Sequence, residues 1–223
     1  MPVFKKKRDK PSEIAIIGLG LFGAGLARRL ESLGHTVLGI DSDPHVVKEI
    51  ADEISEALIV DATDATALRQ LDITSFQTVV VAVGGNFEAS ALITSTLKEM
   101  GIPHVIAQSN TGRHREILLR IGADRVILPE EESGYQLAYE LGVPGMLNIL
   151  ALSEDYSLVE INVPPQLVGQ GVAVCEPYEV LVVLILRGNE LIVDPDESAR
   201  FLPEDILVLA GAKRRLAEFT NRG

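Results

Sequence analysis

Three glycines set the chemistry of this chain. Gly18, Gly20 and Gly23 form a G-x-G-x-x-G run with Leu21 and Phe22 between them. It follows the apolar stretch Ile14-Ala15-Ile16-Ile17 and precedes a helical pattern through Leu26, Ala27 and Leu30. A buried strand that turns into a helix reads this way. Gly18 makes the tight turn, Gly20 lets the backbone approach a phosphate, and Gly23 lets the helix pack close on the strand. The helix N-terminus offers N–H groups and a positive dipole end to an anion. Glycines at a strand–helix turn also serve packing alone, so the run needs a second feature to specify a ligand. A second strand, His35 to Ile40, ends in Asp41, in the window roughly 20 residues on where a ribose-binding carboxylate belongs. Within Asp41-Ser42-Asp43-Pro44 the same acid also suits a turn or a cap. No arginine directly follows Asp41, which disfavours a ribose 2′-phosphate.

The elements that position these residues alternate. Asp43 caps a helix that opens with Pro44 and shows Val46, Val47, Ile50 and Ala51 on one face. A strand, Ala57 to Val60, leads to Asp61-Ala62-Thr63-Asp64 and a helix to Leu71. Thr78 to Val83 is too continuously apolar for a strand with one wet face and reads as a central parallel strand. Gly84-Gly85-Asn86 breaks it before a helix from about Phe87 to Met100. His104 to Ala107 and Arg125 to Leu128 are two more strands, separated by a helix from Arg113 to Ile121. Strand–helix alternation predicts an α/β fold, a Rossmann-like doubly wound parallel sheet with right-handed crossovers. Ligands of such sheets bind beyond the carboxyl ends of the strands. Those ends carry Gly18 to Gly23, Asp41, Asp61 to Thr63, Val83 to Asn86 and Gln108 to Asn110.

The pattern changes after Glu130. A helical stretch, Tyr135 to Leu141, meets Gly142-Val143-Pro144-Gly145, and a short helix is expected over Met146 to Leu152. Leu158 to Val163 alternates like a half-exposed strand, and Val180 to Arg187, Gly188-Asn189 and Glu190 to Val193 read as a hairpin. Ile206 to Leu209 is a further strand, and Lys213 to Thr220 reads as a closing helix. The expected organisation is a flexible basic tail over 1–11, a nucleotide-binding domain over 12–134, a crossover helix and linker over 135–152, and a small C-terminal α+β domain over 153–223.

Composition excludes several classes. The 223 residues carry a net charge of -12, which argues against nucleic acid as a partner. Lys5-Lys6-Lys7-Arg8 is the only basic cluster; it reads as a solvated tail or as a contact with an acidic surface. A single cysteine, Cys175, excludes an intrachain disulfide and fits a reducing compartment. The four histidines show no metal-ligand spacing. No secretory signal or membrane-spanning run is read, so a cytoplasmic protein is expected. Residues 151–223 hold no histidine and one lysine, Lys213, which is poor material for the proton relay a dehydrogenase needs. The two readings left are a ligand-binding regulator without catalytic residues and a soluble NAD-dependent oxidoreductase.

Several blocks together resemble the RCK (regulator of conductance of potassium) proteins of the KtrA/TrkA type. They are Ile17 to Gly23, Asp41-Ser42-Asp43, Asp61-Ala62-Thr63, Val81 to Gly84, Ile121 to Ile127 with Pro129-Glu130, and Glu204 to Gly211. The resemblance covers nearly the whole chain and implies an RCK N-domain, a crossover helix and an RCK C-domain. It implies a cytosolic, non-enzymatic regulatory subunit, peripheral to the inner face of the membrane. Dimers would build an octameric ring that gates a membrane-embedded potassium-translocating subunit. It implies ATP, ADP or NAD(H) as ligand, with Gly18, Gly20, Leu21, Phe22 and Gly23 on the phosphates, Asp41 on the ribose with Ser42 also at the ligand, and Asp61, Ala62 and Thr63 at the adenine. Val83, Gly84, Asn86 and Gln108 complete the implied pocket. It also implies that Glu130 helps bind Mg²⁺ or Ca²⁺ near the phosphates; by itself Glu130-Glu131-Glu132 reads as the acidic start of a helix. Two departures stand out. The family often places Arg at the position of Leu21 and Lys near that of Gln108. Loss of both cations weakens selection for a triphosphate and moves the expectation toward ADP, AMP or NAD(H). The C-terminal segment also lacks the arginine that the family uses for cyclic di-AMP.

Overall fold

A computed structural model describes residues 12–220. The basic cluster Lys5 to Arg8, and the tail expected over 1–11, lie outside the described residues. The chain divides into two compact units, one ending at Glu131 and one beginning at Glu132.

The first unit alternates strand and helix: β1 (Glu13–Ile17), α1 (Leu21–Ser32), β2 (Thr36–Asp41), α2 (Pro44–Ile50), β3 (Glu56–Ile59), α3 (Ala65–Gln70), β4 (Thr78–Val81), α4 (Phe87–Glu99), β5 (His104–Gln108), α5 (Gly112–Ile121) and β6 (Arg125–Ile127). The strands form one sheet in the order β3-β2-β1-β4-β5-β6, every pair parallel. Successive strand residues point to opposite faces, and here both faces are dry. Ala15, Ile17, Leu38, Ile40, Val79 and Val81 enter one apolar cluster, while Ile14, Ile16, Val37 and Val80 enter another. This is why the strands read as unbroken apolar runs. Asp43 accepts from the His45 N–H at 2.8 Å to cap α2, whose first residue is Pro44.

The Ile121 to Asp124 block is a structural lock. Gly122 ends α5 with φ +120°, a conformation that L side chains rarely adopt. Asp124 Oδ2 accepts from the Val105 N–H at 2.7 Å and from Lys98 Nζ at 3.0 Å. Partial burial alone would raise this carboxyl; those donors outweigh it and hold the carboxyl below its usual range. The acid thus joins the end of α4 to the starts of β5 and β6.

In the second unit, α6 (Pro129–Gly142), which straddles the division, precedes β7 (Met146–Ala151), β8 (Tyr156–Asn162), β9 (Leu181–Arg187), β10 (Glu190–Val193), β11 (Ile206–Ala212) and α7 (Lys213–Thr220). The sheet order is β10-β9-β11-β8-β7, every pair antiparallel. Alternate residues Val159, Ile161, Leu207 and Leu209 fill its core with Ile185, Phe201, Leu216 and Phe219. Asp205 is fully buried; its carboxylate accepts from Arg187 Nε at 2.8 Å, Arg187 Nη2 at 2.7 Å and the Leu202 N–H at 2.8 Å. That staple fixes the approach to β11.

Two expectations are corrected. The stretch Met146 to Leu152, expected as a short helix, contains strand β7, paired antiparallel with β8 from Met146 to Ala151. Its apolar residues show neither period cleanly, and pairing with β8 satisfies backbone groups that a helix would leave open on that edge. The helix before it starts at Pro129 rather than Tyr135, so Glu130, Glu131 and Glu132 form its first turn.

A candidate nucleotide-binding cleft

The carboxyl ends of β1, β2, β3 and β4 open onto a cleft of about 470 Å³, a size suited to a small organic ligand. Gly18 leaves β1 with φ +96°, and a Cβ there would stand 2.7 Å from the Ala82 carbonyl oxygen. The Gly18 N–H donates to Ile40 O at 2.8 Å and the Ala82 N–H to Ile17 O at 2.6 Å, so the turn is pinned between β2 and β4. Gly23 faces the Gly18 carbonyl at a separation that leaves no room for a side chain. At Gly20, in contrast, a Cβ would meet no atom within 4 Å. Gly20 is the N-cap of α1, no side chain caps it, and the first turn holds no acid. The N–H groups that open a helix have no intrahelical acceptor, so this end is disposed to take an anion. Leu21, the first residue of α1, is 99% exposed.

Asp41 closes β2 at the cleft wall. Its Oδ2 accepts from the Leu19 N–H at 2.7 Å and its Oδ1 from the Asp43 N–H at 2.9 Å. Beside it, just after the neighbouring strand β3, Asp61 Oδ1 accepts from the Thr63 hydroxyl at 2.6 Å and the Thr63 N–H at 2.9 Å, and these bonds hold its carboxyl below the usual range. Asn86 Oδ1 accepts from the Ala89 N–H at 3.1 Å and caps α4.

Of the residues expected at a ligand, Gly18, Asp41, Ser42, Asp61, Ala62, Thr63, Val83 and Asn86 line this cleft. Gly20, Leu21, Phe22 and Gly23 do not line it; they belong to the start of α1 and the residue before it. Gly84 and Gln108 pack against each other instead: Gln108 is 7% exposed, and a Cβ on Gly84 would come within 3.0 Å of its side chain. Glu130 is exposed in the first turn of α6, and among the described residues no group of three or more His, Cys, Asp or Glu could hold a metal ion. One carboxylate alone does not make a Mg²⁺ or Ca²⁺ site. Ile17, Ile40, Val60, Ala89 and Ile93 line the cleft without having been expected there. Ile17 ends β1, Ile40 is the last residue but one of β2 and Val60 just follows β3, and Ala89 and Ile93 share a face of α4 by their i, i+4 spacing. That spacing was the available signal. Among the described residues, the lining includes two carboxylates and no lysine, arginine or histidine.

A six-stranded parallel sheet in this order, with a glycine turn after β1 and an acid ending β2, defines a Rossmann-like domain. Residues 14–129 match the TrkA-N domain family model, and the chain belongs to that family, the RCK proteins. It is 33% identical over 219 residues to the Ktr system potassium uptake protein A of Bacillus subtilis, covering 97% of this chain and 99% of that protein. It is 35% identical over 213 residues to Ktr system potassium uptake protein C of the same organism, covering 94% and 96%. Among solved structures, the GsuK channel bound to NAD shares the fold with a TM-score of 0.68 at 18% identity, covering 99% of this chain and 41% of that one.

Proposed function

We propose that this protein is a nucleotide-binding regulatory subunit of a potassium-uptake system, which gates a membrane-embedded translocating subunit from the cytoplasmic side. The observation that carries this reading is its identity of 33% and 35% to two Ktr potassium uptake proteins, each matched over nearly its whole length. Among the described residues no helix is long and apolar enough to cross a membrane, so translocation falls to a partner. A sensing role fits the cleft: the two carboxylates of its described lining, Asp41 and Asp61, are both engaged by backbone N–H groups of their own loops.

The ligand is an adenine nucleotide, ADP/ATP or NAD(H). Gly20, Leu21, Phe22 and Gly23 meet its phosphates with backbone N–H groups, Gly18, whose own N–H is given to Ile40 O, stands against them in the turn, Asp41 binds its ribose with Ser42 beside it, and Asp61, Ala62 and Thr63 flank its adenine. The open space at Gly20 fits a close approach of phosphate. With Leu21 at the head of α1 and no basic residue in the described lining, the site favours ADP or NAD(H) over ATP. Glu130 helps bind Mg²⁺ or Ca²⁺ near the nucleotide phosphates, whose oxygens are the further hard ligands such an ion takes.

Subunits assemble through dimers into an octameric ring, and the exposed apolar side chains of α6, Leu137 and Leu141 among them, support assembly. One experiment tests the whole reading: determine the mass of the purified native protein, denature it, and identify the released nucleotide. A ring that releases an adenine nucleotide is expected. A dimer that oxidises or reduces a substrate with NAD would replace the regulator with an oxidoreductase.

A further inference from the structure

The carboxylate of Asp41 faces the cleft and is also tied to the glycine turn. Its Oδ2 accepts the Leu19 N–H at 2.7 Å, a bond that spans 22 residues of sequence and joins the loop after β1 to the end of β2. Its Oδ1 accepts the Asp43 N–H at 2.9 Å and so reaches the residue that caps α2. Leu19 stands between Gly18 and Gly20 and is held at its other end too. Its side chain is 2% exposed and lies over Gly39 of β2, where a Cβ would come within 3.0 Å of Leu19 Cδ2 and 2.7 Å of Ile54 Cδ1. The middle residue of the turn is thus fixed by packing through its side chain and by a charge-assisted bond through its N–H.

We infer that Asp41 is a positioning residue for the phosphate loop, acting on nucleotide phosphates through Leu19 independently of any contact with ribose. The inference rests on the nucleotide reading of the cleft. A carboxylate presents about four lone-pair sites. Leu19 and Asp43 occupy two, which leaves acceptor capacity for ribose hydroxyls, so the two roles coexist in one side chain. Bonds of this type are about twice as strong as neutral ones. A turn fixed before the ligand arrives adds no ordering cost on binding. Without the carboxylate, the Leu19 N–H, in a residue otherwise buried, loses its acceptor. The Gly18 to Gly20 turn then has to be ordered by the ligand itself.

The test separates the two roles by removing the ribose hydroxyls. ADP and 2′,3′-dideoxy-ADP are titrated calorimetrically into the full-length wild type, Asp41→Ala and Asp41→Asn. In parallel, hydrogen exchange by mass spectrometry follows the segment 14–23 without nucleotide. If Asp41 holds the loop, Asp41→Ala binds the dideoxy nucleotide about tenfold or more weakly than wild type, the loss expected for one hydrogen bond to a charged group. The segment 14–23 then exchanges faster while β5 and β6 of the same unit keep their protection, which a general loss of stability would not give. Asp41→Asn keeps one acceptor oxygen and falls between the two; it carries the comparison if the alanine variant does not fold. Dideoxy-ADP binding within about twofold in all three proteins, with unchanged exchange over 14–23, overturns the inference and leaves Asp41 a ribose ligand only. If wild type binds neither nucleotide, the nucleotide reading fails, and the exchange data still decide whether Asp41 holds the turn.

Discussion

The carbonyl oxygen of Gly18 occupies the space that a Cβ on Gly23 would need, whereas a Cβ on Gly20 would meet open space. The two glycines therefore separate packing from binding. Gly23→Ala drives α1 away from the end of β1 against a backbone atom that cannot rotate aside. It costs about 3 kcal/mol of stability, the upper end for overpacking, whether or not ligand is present. Gly20→Ala costs under about 1 kcal/mol, the difference between the two residues at an N-cap, and its methyl group fills the space proposed for phosphate. Thermal unfolding and calorimetry on both variants check this. Unchanged nucleotide affinity in Gly20→Ala places the phosphates elsewhere.

Asp205 makes a pH prediction for the second unit. Arg187 beside it, with the Leu202 N–H, holds this buried carboxyl below its usual range despite desolvation. A carboxylate with a depressed folded pKa stabilises the fold above its unfolded value and loses that contribution as pH falls through the folded value. The unit should therefore keep this contribution through neutral and mildly acidic pH and shed it only below the ordinary aspartate range. Asp205→Ala leaves Arg187 without its carboxylate and the Leu202 N–H unpaired, at a cost of about 3 kcal/mol. Circular dichroism melts from neutral to acid pH check both. Wild type and variant should converge at the lowest pH; a constant gap would show that the acid acts through packing alone.

How much of this molecule the sequence discloses depends on whether one pattern decides an element. The central strands β1, β2 and β4 are legible because both faces of the sheet are dry there, so each is an apolar run stopped by a loop. Asp43 and Pro44 mark the start of α2 for a local reason, a cap followed by a residue with fixed φ. β7 is not legible: its apolar residues are set by its partner β8, and no local rule chooses a strand over a helix there. In the cleft the loop residues are legible because turn chemistry demands them. Ala89 and Ile93 look like ordinary core until α4 is set beside the ends of β1 to β4. The Ile121 to Asp124 block, one of the stretches that carry the family resemblance, holds α4, β5 and β6 together through Asp124.

The helix α6 buries none of its side chains. Leu137 is 52% and Leu141 78% exposed, and their i, i+4 spacing places them on one face. If that face carries assembly, replacing both with serine yields a smaller species in light scattering while far-ultraviolet circular dichroism is unchanged. An assembly of unaltered mass assigns the contact to another surface.

Leu21 tests which nucleotide the site prefers and why. Its side chain is 99% exposed at the first position of α1, so a longer side chain there disturbs no packing. In the proposed binding mode the phosphates meet backbone N–H groups and a helix dipole, and among the described residues no lysine or arginine lines the cleft. Extra charge on the ligand is then poorly compensated, and ATP binds no better than ADP or NAD. Leu21→Arg adds a guanidinium at this end. Without ligand it is mildly unfavourable, since a cation near a helix N-terminus opposes the dipole by about 0.3–1 kcal/mol. With a terminal phosphate in reach it forms a charge-assisted contact instead. The variant should gain about tenfold for ATP, the equivalent of about 1.4 kcal/mol, with less for ADP and least for NAD. The gain should shrink as salt rises, because both partners are exposed and screened. Calorimetry with the three ligands at low and high ionic strength reads all of this. An equal change for ATP and NAD would show that Leu21 does not stand at a terminal phosphate, and a gain that salt leaves untouched would show that charge is not its cause.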